Sequence, residues 1–157
     1  MWINFDLNGM LLKLKIDNYN NNNEYVDISF EYRFKDIINY KKDNQKVLLC
    51  KDIDSIKEMT KSLLDKTLQK DDSYYCYEPD FSFDFIGGQW LKINTYLWNN
   101  EDRTTQITNN TISTTLELKE IEQFYNYLRL ITNEIDIDNL DIKEMLNNNI
   151  IYNKTQD

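Results

Sequence analysis

Residues 26–35 are Val-Asp-Ile-Ser-Phe-Glu-Tyr-Arg-Phe-Lys, an unbroken alternation of apolar and polar side chains. A period of two predicts a β-strand with one buried face. The apolar set, from Val26 to Phe34, would face a core, and the polar set, from Asp27 to Lys35, would face solvent. This stretch decides the fold class, because a strand of this kind needs neighbouring strands and an apolar layer beneath them.

The chain on either side supplies these neighbours. Residues 10–17 alternate in the same way, and two later stretches carry apolar side chains at helical spacing. The remaining predicted elements are listed in chain order: a loop at 18–23, a strand at 46–50, a helix from Asp52, strands at 74–85 and 89–98, one strand or a broken pair of strands at 104–116, a helix at 118–131 and a short helix at 141–146.

These elements predict an α+β fold. We expect an antiparallel, strongly curved sheet with two main helices in the order strands-helix-strands-helix, followed by a short C-terminal helix. Residues 1–157 would form a single domain. Two similar halves, about 10–68 and 73–133, would be followed by an extension at 134–157.

The amino-acid composition excludes several classes of function for this chain. The chain has no His, so Ser-His-Asp and Cys-His nucleophile systems are excluded, together with the commonest metal ligand. Its net charge of -9 would be repelled by nucleic acid phosphates and by anionic lipid heads. We therefore expect neither a nucleic acid nor a membrane partner, no cofactor and no metal.

The two cysteines, Cys50 and Cys76, show neither metal-site spacing nor a disulfide pattern. The first residues lack a basic region followed by an apolar one, and no apolar run reaches transmembrane length. These features predict a cytoplasmic protein with reduced thiols.

Residues 78–85, Glu-Pro-Asp-Phe-Ser-Phe-Asp-Phe, place three phenylalanines on one side of a strand and acidic groups on the other. Pro79 inside this strand indicates an edge strand or a bulge. Glu78, Asp80 and Asp84 would form either an ordinary solvated face or an acidic ladder that meets a basic partner.

Pro79-Asp80 and the later Glu117-Leu118-Lys119 also match the PD-(D/E)xK pattern of metal-dependent nucleases. In that pattern the two acids hold Mg²⁺ and the lysine assists the attacking water. Glu117 has a second explanation, because an acidic residue at the start of a helix is favoured by the helix dipole.

Trp90, Tyr96 and Trp98 share one side of the strand at 89–98, with aliphatic residues on the other side. Exposed Trp and Tyr are frequent interface anchors, so this face is a candidate partner-binding or small-ligand-binding surface. A helix covering the face would instead make these aromatic side chains part of the core.

Residues 136–141, Asp-Ile-Asp-Asn-Leu-Asp, have the acidic spacing of a calcium loop. They lack the glycine and the terminal glutamate that such a loop needs. Asp138 or Asp141 is instead expected to cap the short C-terminal helix.

Several of these elements together resemble the WapI-type immunity family, antidotes to bacterial contact-dependent toxins. The resemblance covers about residues 10–133. It rests on the strand from Tyr25 to Phe34, the helix with Ile56, Met59 and Leu63, the Glu78-Pro79 step into 81–85, the strand around Leu91 and Ile93, and the helix from Ile121 to Ile131.

The resemblance implies a non-enzymatic protein that neutralises a cognate, basic toxin domain by stoichiometric binding. The candidate partner-binding residues are Glu78, Asp80, Asp84, Trp90, Tyr96 and Trp98. The alternatives are a nuclease that uses Asp80, Glu117 and Lys119, and a small-ligand-binding domain. The sequence leaves a homodimer open.

Overall fold

The computed structural model describes residues 1–20, 24–68, 70–76, 81–87, 90–96 and 111–153. These ranges contain nine strands and three helices. In chain order they are β1 (Trp2–Leu7), β2 (Met10–Asp17), β3 (Tyr25–Phe34), β4 (Ile38–Leu49), α1 (Cys50–Leu64), β5 (Asp72–Tyr75), β6 (Phe81–Ile86), β7 (Trp90–Tyr96), β8 (Thr111–Leu116), α2 (Leu118–Ile131), α3 (Leu140–Asn147) and β9 (Ile151–Tyr152).

The strands form two separate sheets. The first has the order β4-β3-β2-β1-β9 and the second has the order β5-β6-β7-β8, and all neighbouring strands are antiparallel. The predicted α+β class with antiparallel strands and three helices is therefore confirmed. The prediction of one strongly curved sheet is not confirmed, because the strands divide between two sheets.

Strands β1 and β9 were absent from the sequence-based prediction. Strand β1 pairs with β2 through a tight hairpin in which Leu7 lies opposite Met10. The two linking residues, Asn8 and Gly9, both have positive φ angles, 55° and 92°. Asn-Gly is the residue pair that this hairpin turn favours, so the sequence did contain a signal for β1.

The predicted single strand at 74–85 is wrong. Strands β5 and β6 pair antiparallel with each other, with Ser73 opposite Asp84 and Tyr75 opposite Ser82, so the chain reverses between them. Proline lacks the N–H that a strand inside a sheet donates. A proline in this stretch therefore favours two strands, one before it and one after it, over one continuous strand. Pro79 itself lies outside the described residues.

The two sheets face each other and share one apolar core with α1 and α2. Where the sheets approach directly, Phe30 packs edge-on against Phe81 with ring centroids 5.0 Å apart. Phe124 of α2 lies between the sheets, 6.3 Å from Phe5 and 6.4 Å from Phe83 between ring centroids. Helix α2 therefore acts as a wedge between the sheets.

Tyr127, also on α2, is fully buried, whereas Tyr125 on the same helix is only half-buried. Its hydroxyl accepts a hydrogen bond from the Ile16 N–H at 2.9 Å and donates one to the Met1 carbonyl at 3.0 Å. The register of β1 with β2 ends at Trp2 and Lys15. Tyr127 thus satisfies backbone groups at the end of that ladder.

Asp52 connects α1 to the second sheet. One carboxylate oxygen accepts a hydrogen bond from the Leu49 N–H at 2.7 Å, at the start of the helix, and the other accepts one from the Tyr74 hydroxyl, also at 2.7 Å. Asp52 is buried, so both hydrogen bonds offset the cost of removing a carboxylate from water. The predicted helix start near Asp52 agrees with the observed one at Cys50.

Replacing Tyr127 by Phe should lower the free energy of unfolding by about 1–3 kcal/mol, because it removes the hydrogen bonds to the buried Ile16 N–H and the part-buried Met1 carbonyl. Urea denaturation measures this change. Tyr125→Phe on the same helix is the matched control, because Tyr125 is only half-buried, and it should have little effect. Equal losses in the two variants would contradict the role given to Tyr127.

The free energy of unfolding should decrease as the pH rises from 10 towards 12. Burial raises the pKa of Tyr19, Tyr32 and Tyr74 from 10 to about 12, and hydrogen bonds to Asp54 and Asp52 add to the effect at Tyr19 and Tyr74. The folded chain holds these protons more tightly than the unfolded chain, so their contribution is complete below pH 10 and is lost through pH 12.

Denaturation curves recorded across this pH range measure the loss. Tyr74→Phe should make it smaller, whereas Tyr75→Phe, at the exposed neighbouring position, should not change it. An identical alkaline loss in both variants would rule out a contribution from Tyr74.

Candidate functional site

The described members of the two surfaces proposed from the sequence, Asp84, Trp90 and Tyr96, lie on one face of the second sheet. In the register of β6 with β7, Asp84 lies opposite Lys92, Ser82 opposite Asn94, and Ile86 opposite Trp90. Residues paired in this way point to the same side of a sheet. Asp84, Trp90 and Tyr96 therefore share a face.

We call this surface the outer face of the second sheet. Its opposite side carries Phe81, Phe83, Phe85, Leu91 and Ile93, all buried in the core. Strand alternation and register assign the outer face these residues: Ser73, Tyr75, Ser82, Asp84, Ile86, Trp90, Lys92, Asn94, Tyr96, Thr111, Ser113 and Thr115.

Asn94 is the centre of a hydrogen-bond network on this face. Its amide nitrogen donates to the Ser82 hydroxyl at 3.1 Å and to the Asp84 carboxylate at 2.9 Å. Its amide oxygen accepts from the Ser113 hydroxyl at 2.7 Å. One side chain thus connects β6, β7 and β8 and fixes the orientation of all its partners.

Two further hydrogen bonds extend the network to its neighbours. The Ser73 hydroxyl donates to Asp84 at 2.8 Å, and the hydroxyls of Ser82 and Tyr96 lie 3.1 Å apart. Ser82 and Asn94 are buried beneath the face, while Asp84 and Tyr96 are half-buried. The network therefore holds a carboxylate and a phenol in fixed positions with one side open to solvent.

Exposed aromatic side chains frame this network. Tyr75 on β5 is 71% exposed and Trp90 on β7 is 44% exposed. Trp90 is therefore exposed on this face. It is not part of the core, as it would be if a helix covered it. Of the other predicted binding residues, Glu78, Asp80 and Trp98 lie outside the described residues.

The structure supports the electrostatic explanation of Glu117 as a helix-start residue. Glu117 is the residue before α2, and its N–H donates to the Glu120 carboxylate at 3.2 Å. Lys119 lies exposed in the first turn of α2, and Asp80 lies outside the described residues. Within the described part of the chain, His, Cys, Asp and Glu residues form no group of three that could hold a metal ion.

Two other predictions concern the thiols and the C-terminal helix. Cys50 and Cys76 do not form a disulfide, and Cys76 is buried. Helix α3 is capped by Asn139, whose side chain accepts from the Asp141 N–H at 3.0 Å, so the predicted cap at Asp138 or Asp141 is wrong.

The negative charge is unevenly distributed along the chain. Residues 1–76 contain 13 acidic and 12 basic residues, whereas residues 77–157 contain 14 acidic and 6 basic residues. The second sheet, α2 and α3 belong almost entirely to this acidic part. A basic partner would therefore be attracted more strongly to residues 77–157 than to residues 1–76.

Sequence reasoning did not identify Ser82, Asn94 and Ser113 as a unit. The signal was present, because polar residues alternate along all three strands and Gly87-Gly88 marks the hairpin that aligns two of them. What was missing was the register of β8, which follows a long polar segment and so has no short turn to fix it.

No protein-family model, curated protein or solved structure matches this chain. Within the described residues, the helices are too short or too polar to span a bilayer.

Asn94→Ala should lower the free energy of unfolding by about 1–3 kcal/mol, because it removes the three hydrogen bonds that Asn94 makes to Ser82, Asp84 and Ser113. Thermal or urea denaturation measures this loss. Thr115→Ala, at an exposed position on the same face, should change stability by less than about 0.5 kcal/mol. Equal effects would show that Asn94 is not the centre of the network.

Proposed function

We propose that this chain is a binding protein that neutralises a cognate bacterial toxin by stoichiometric association, without catalysis of its own. The outer face of the second sheet is its contact surface. The observation that carries this proposal is the fixed polar network around Asn94, framed by the exposed side chains of Tyr75 and Trp90.

Such a face has the properties of an interface core. Tyr and Trp bury a large area at a low cost in side-chain entropy, and a polar network held by its own hydrogen bonds loses little freedom when a partner arrives. Asp84 supplies a carboxylate in a fixed position, which suits a guanidinium or ammonium group of the partner.

The charge distribution supports a basic partner. Toxins that act on nucleic acids carry basic grooves, and the acidic half of this chain would attract such a groove. Opposite charges would speed the encounter, and buried aromatic side chains would slow dissociation. The absence of His from the sequence agrees with a role in binding.

The resemblance to the WapI-type immunity family also supports a role as a toxin antidote. It supports a cytoplasmic protein that meets its toxin inside the producing cell. The strongly curved sheet expected from the sequence is part of the same proposal. Candidate contacts outside the described residues, Glu78, Asp80 and Trp98, remain part of the predicted binding set.

Co-expression with the product of the adjacent gene tests the proposal. We expect a one-to-one complex and restored growth of cells that express a toxic neighbour. Trp90→Ala or Tyr75→Ala should weaken the complex by about tenfold or more. Ile37→Ala is the matched control, because Ile37 is exposed in the turn between β3 and β4, and it should leave the affinity unchanged.

Two results would contradict the proposal. The first is a neighbour without toxic activity that does not associate with the chain. The second is Mg²⁺-dependent cleavage of DNA or RNA that disappears in Asp80→Ala, which would favour the nuclease instead.

A further inference from the structure

The turn between α2 and α3 forms a second concave surface. A shallow groove of about 790 Å³ lies there, lined by Leu130 at the end of α2 and by residues 133–139. We call it the α2–α3 groove. It is built from elements other than the strands of the second sheet, so it is separate from the surface described above.

The backbone of this turn is held by its own hydrogen bonds. Asn133 has a φ angle of 58°, and the next residue, Glu134, donates its N–H to the Arg129 carbonyl at 2.9 Å. Further along, the Asp138 N–H donates to the Asp136 carboxylate at 2.9 Å. The groove therefore exists before any ligand arrives.

Apolar side chains project from this turn into solvent. Ile137, in the groove wall, is 49% exposed, and Leu140, at the start of α3, is 82% exposed. Exposed apolar groups beside a concave surface are typical of protein-interaction sites. Within the described residues only four other large apolar or aromatic side chains are comparably exposed.

The same segment is strongly acidic. Residues 133–144 contain five acidic residues and a single basic one, Lys143. In the described ion pairs, Glu134 contacts Lys57 at 3.3 Å and Arg129 at 2.9 Å, and Asp138 contacts Lys143 at 2.9 Å. These pairs leave the charges of Asp136, Asp141 and Glu144 available to a partner.

We infer that the α2–α3 groove docks a basic, amphipathic peptide segment of a partner protein. Apolar side chains of the segment would cover Ile137 and Leu140, and its lysines or arginines would meet the acidic rim. Charge complementarity selects this occupant, because an acidic segment or an anionic membrane would be repelled. The inference goes beyond the proposed function, because it requires no toxin and no residue of the second sheet.

Binding of a synthetic lysine–leucine peptide with amphipathic helical spacing tests the inference. Amide chemical shifts of the isotope-labelled chain should change in a saturable way at residues 130–144, with one peptide bound per chain. A lysine–serine peptide of equal length and charge should bind at least tenfold more weakly, since it lacks the apolar contacts. Added salt should weaken the lysine–leucine complex.

Three variants separate the contributions. Leu140→Ser should weaken peptide binding about tenfold or more, and Asp136→Asn should weaken it while keeping the side-chain oxygen that accepts from Asp138. Ile37→Ser, at a similarly exposed apolar site elsewhere, should bind like the wild type. Any of three results would overturn the inference. They are chemical-shift changes spread over acidic residues throughout the chain, equal binding of the two peptides, and wild-type binding by the Leu140→Ser variant.

Discussion

Helix α2 packs against both sheets and joins them into one core. Phe124 packs edge-on against Phe5 of the first sheet and stacks on Phe83 of the second sheet. One turn further along, Tyr127 binds backbone groups of Met1 and Ile16. Side chains of one helix therefore contribute to the relative position of the sheets, through apolar packing against both sheets and hydrogen bonds to the first, alongside the direct contact of Phe30 with Phe81.

The candidate binding face is a consequence of this arrangement. With one side of the second sheet committed to the core through three phenylalanines of β6, alternation leaves its other side free to carry polar groups. Asn94 then arranges these groups into a network across three strands. Asp52 of α1 accepts a hydrogen bond from Tyr74 of β5 and so connects the same sheet to α1.

Much of this could be predicted from local pattern. The period of two around Phe30 identified β3, and helical spacing identified α1 and α2, because burial of one face imposes those periods directly. The division into two sheets could not be predicted, since strand pairing depends on contacts between residues far apart in sequence. For the same reason, the site appeared in the sequence as two separate surfaces, and only the register of β6 with β7 joins Asp84 to Trp90.

A photo-crosslinking amino acid placed at position 75 would show whether the outer face of the second sheet binds the toxin, because Tyr75 lies on that face and is exposed. The matched position is 37, equally exposed on the first sheet's β3–β4 turn. We expect irradiation of the complex to link the toxin to position 75 and not to position 37. Capture from position 37 alone would contradict it.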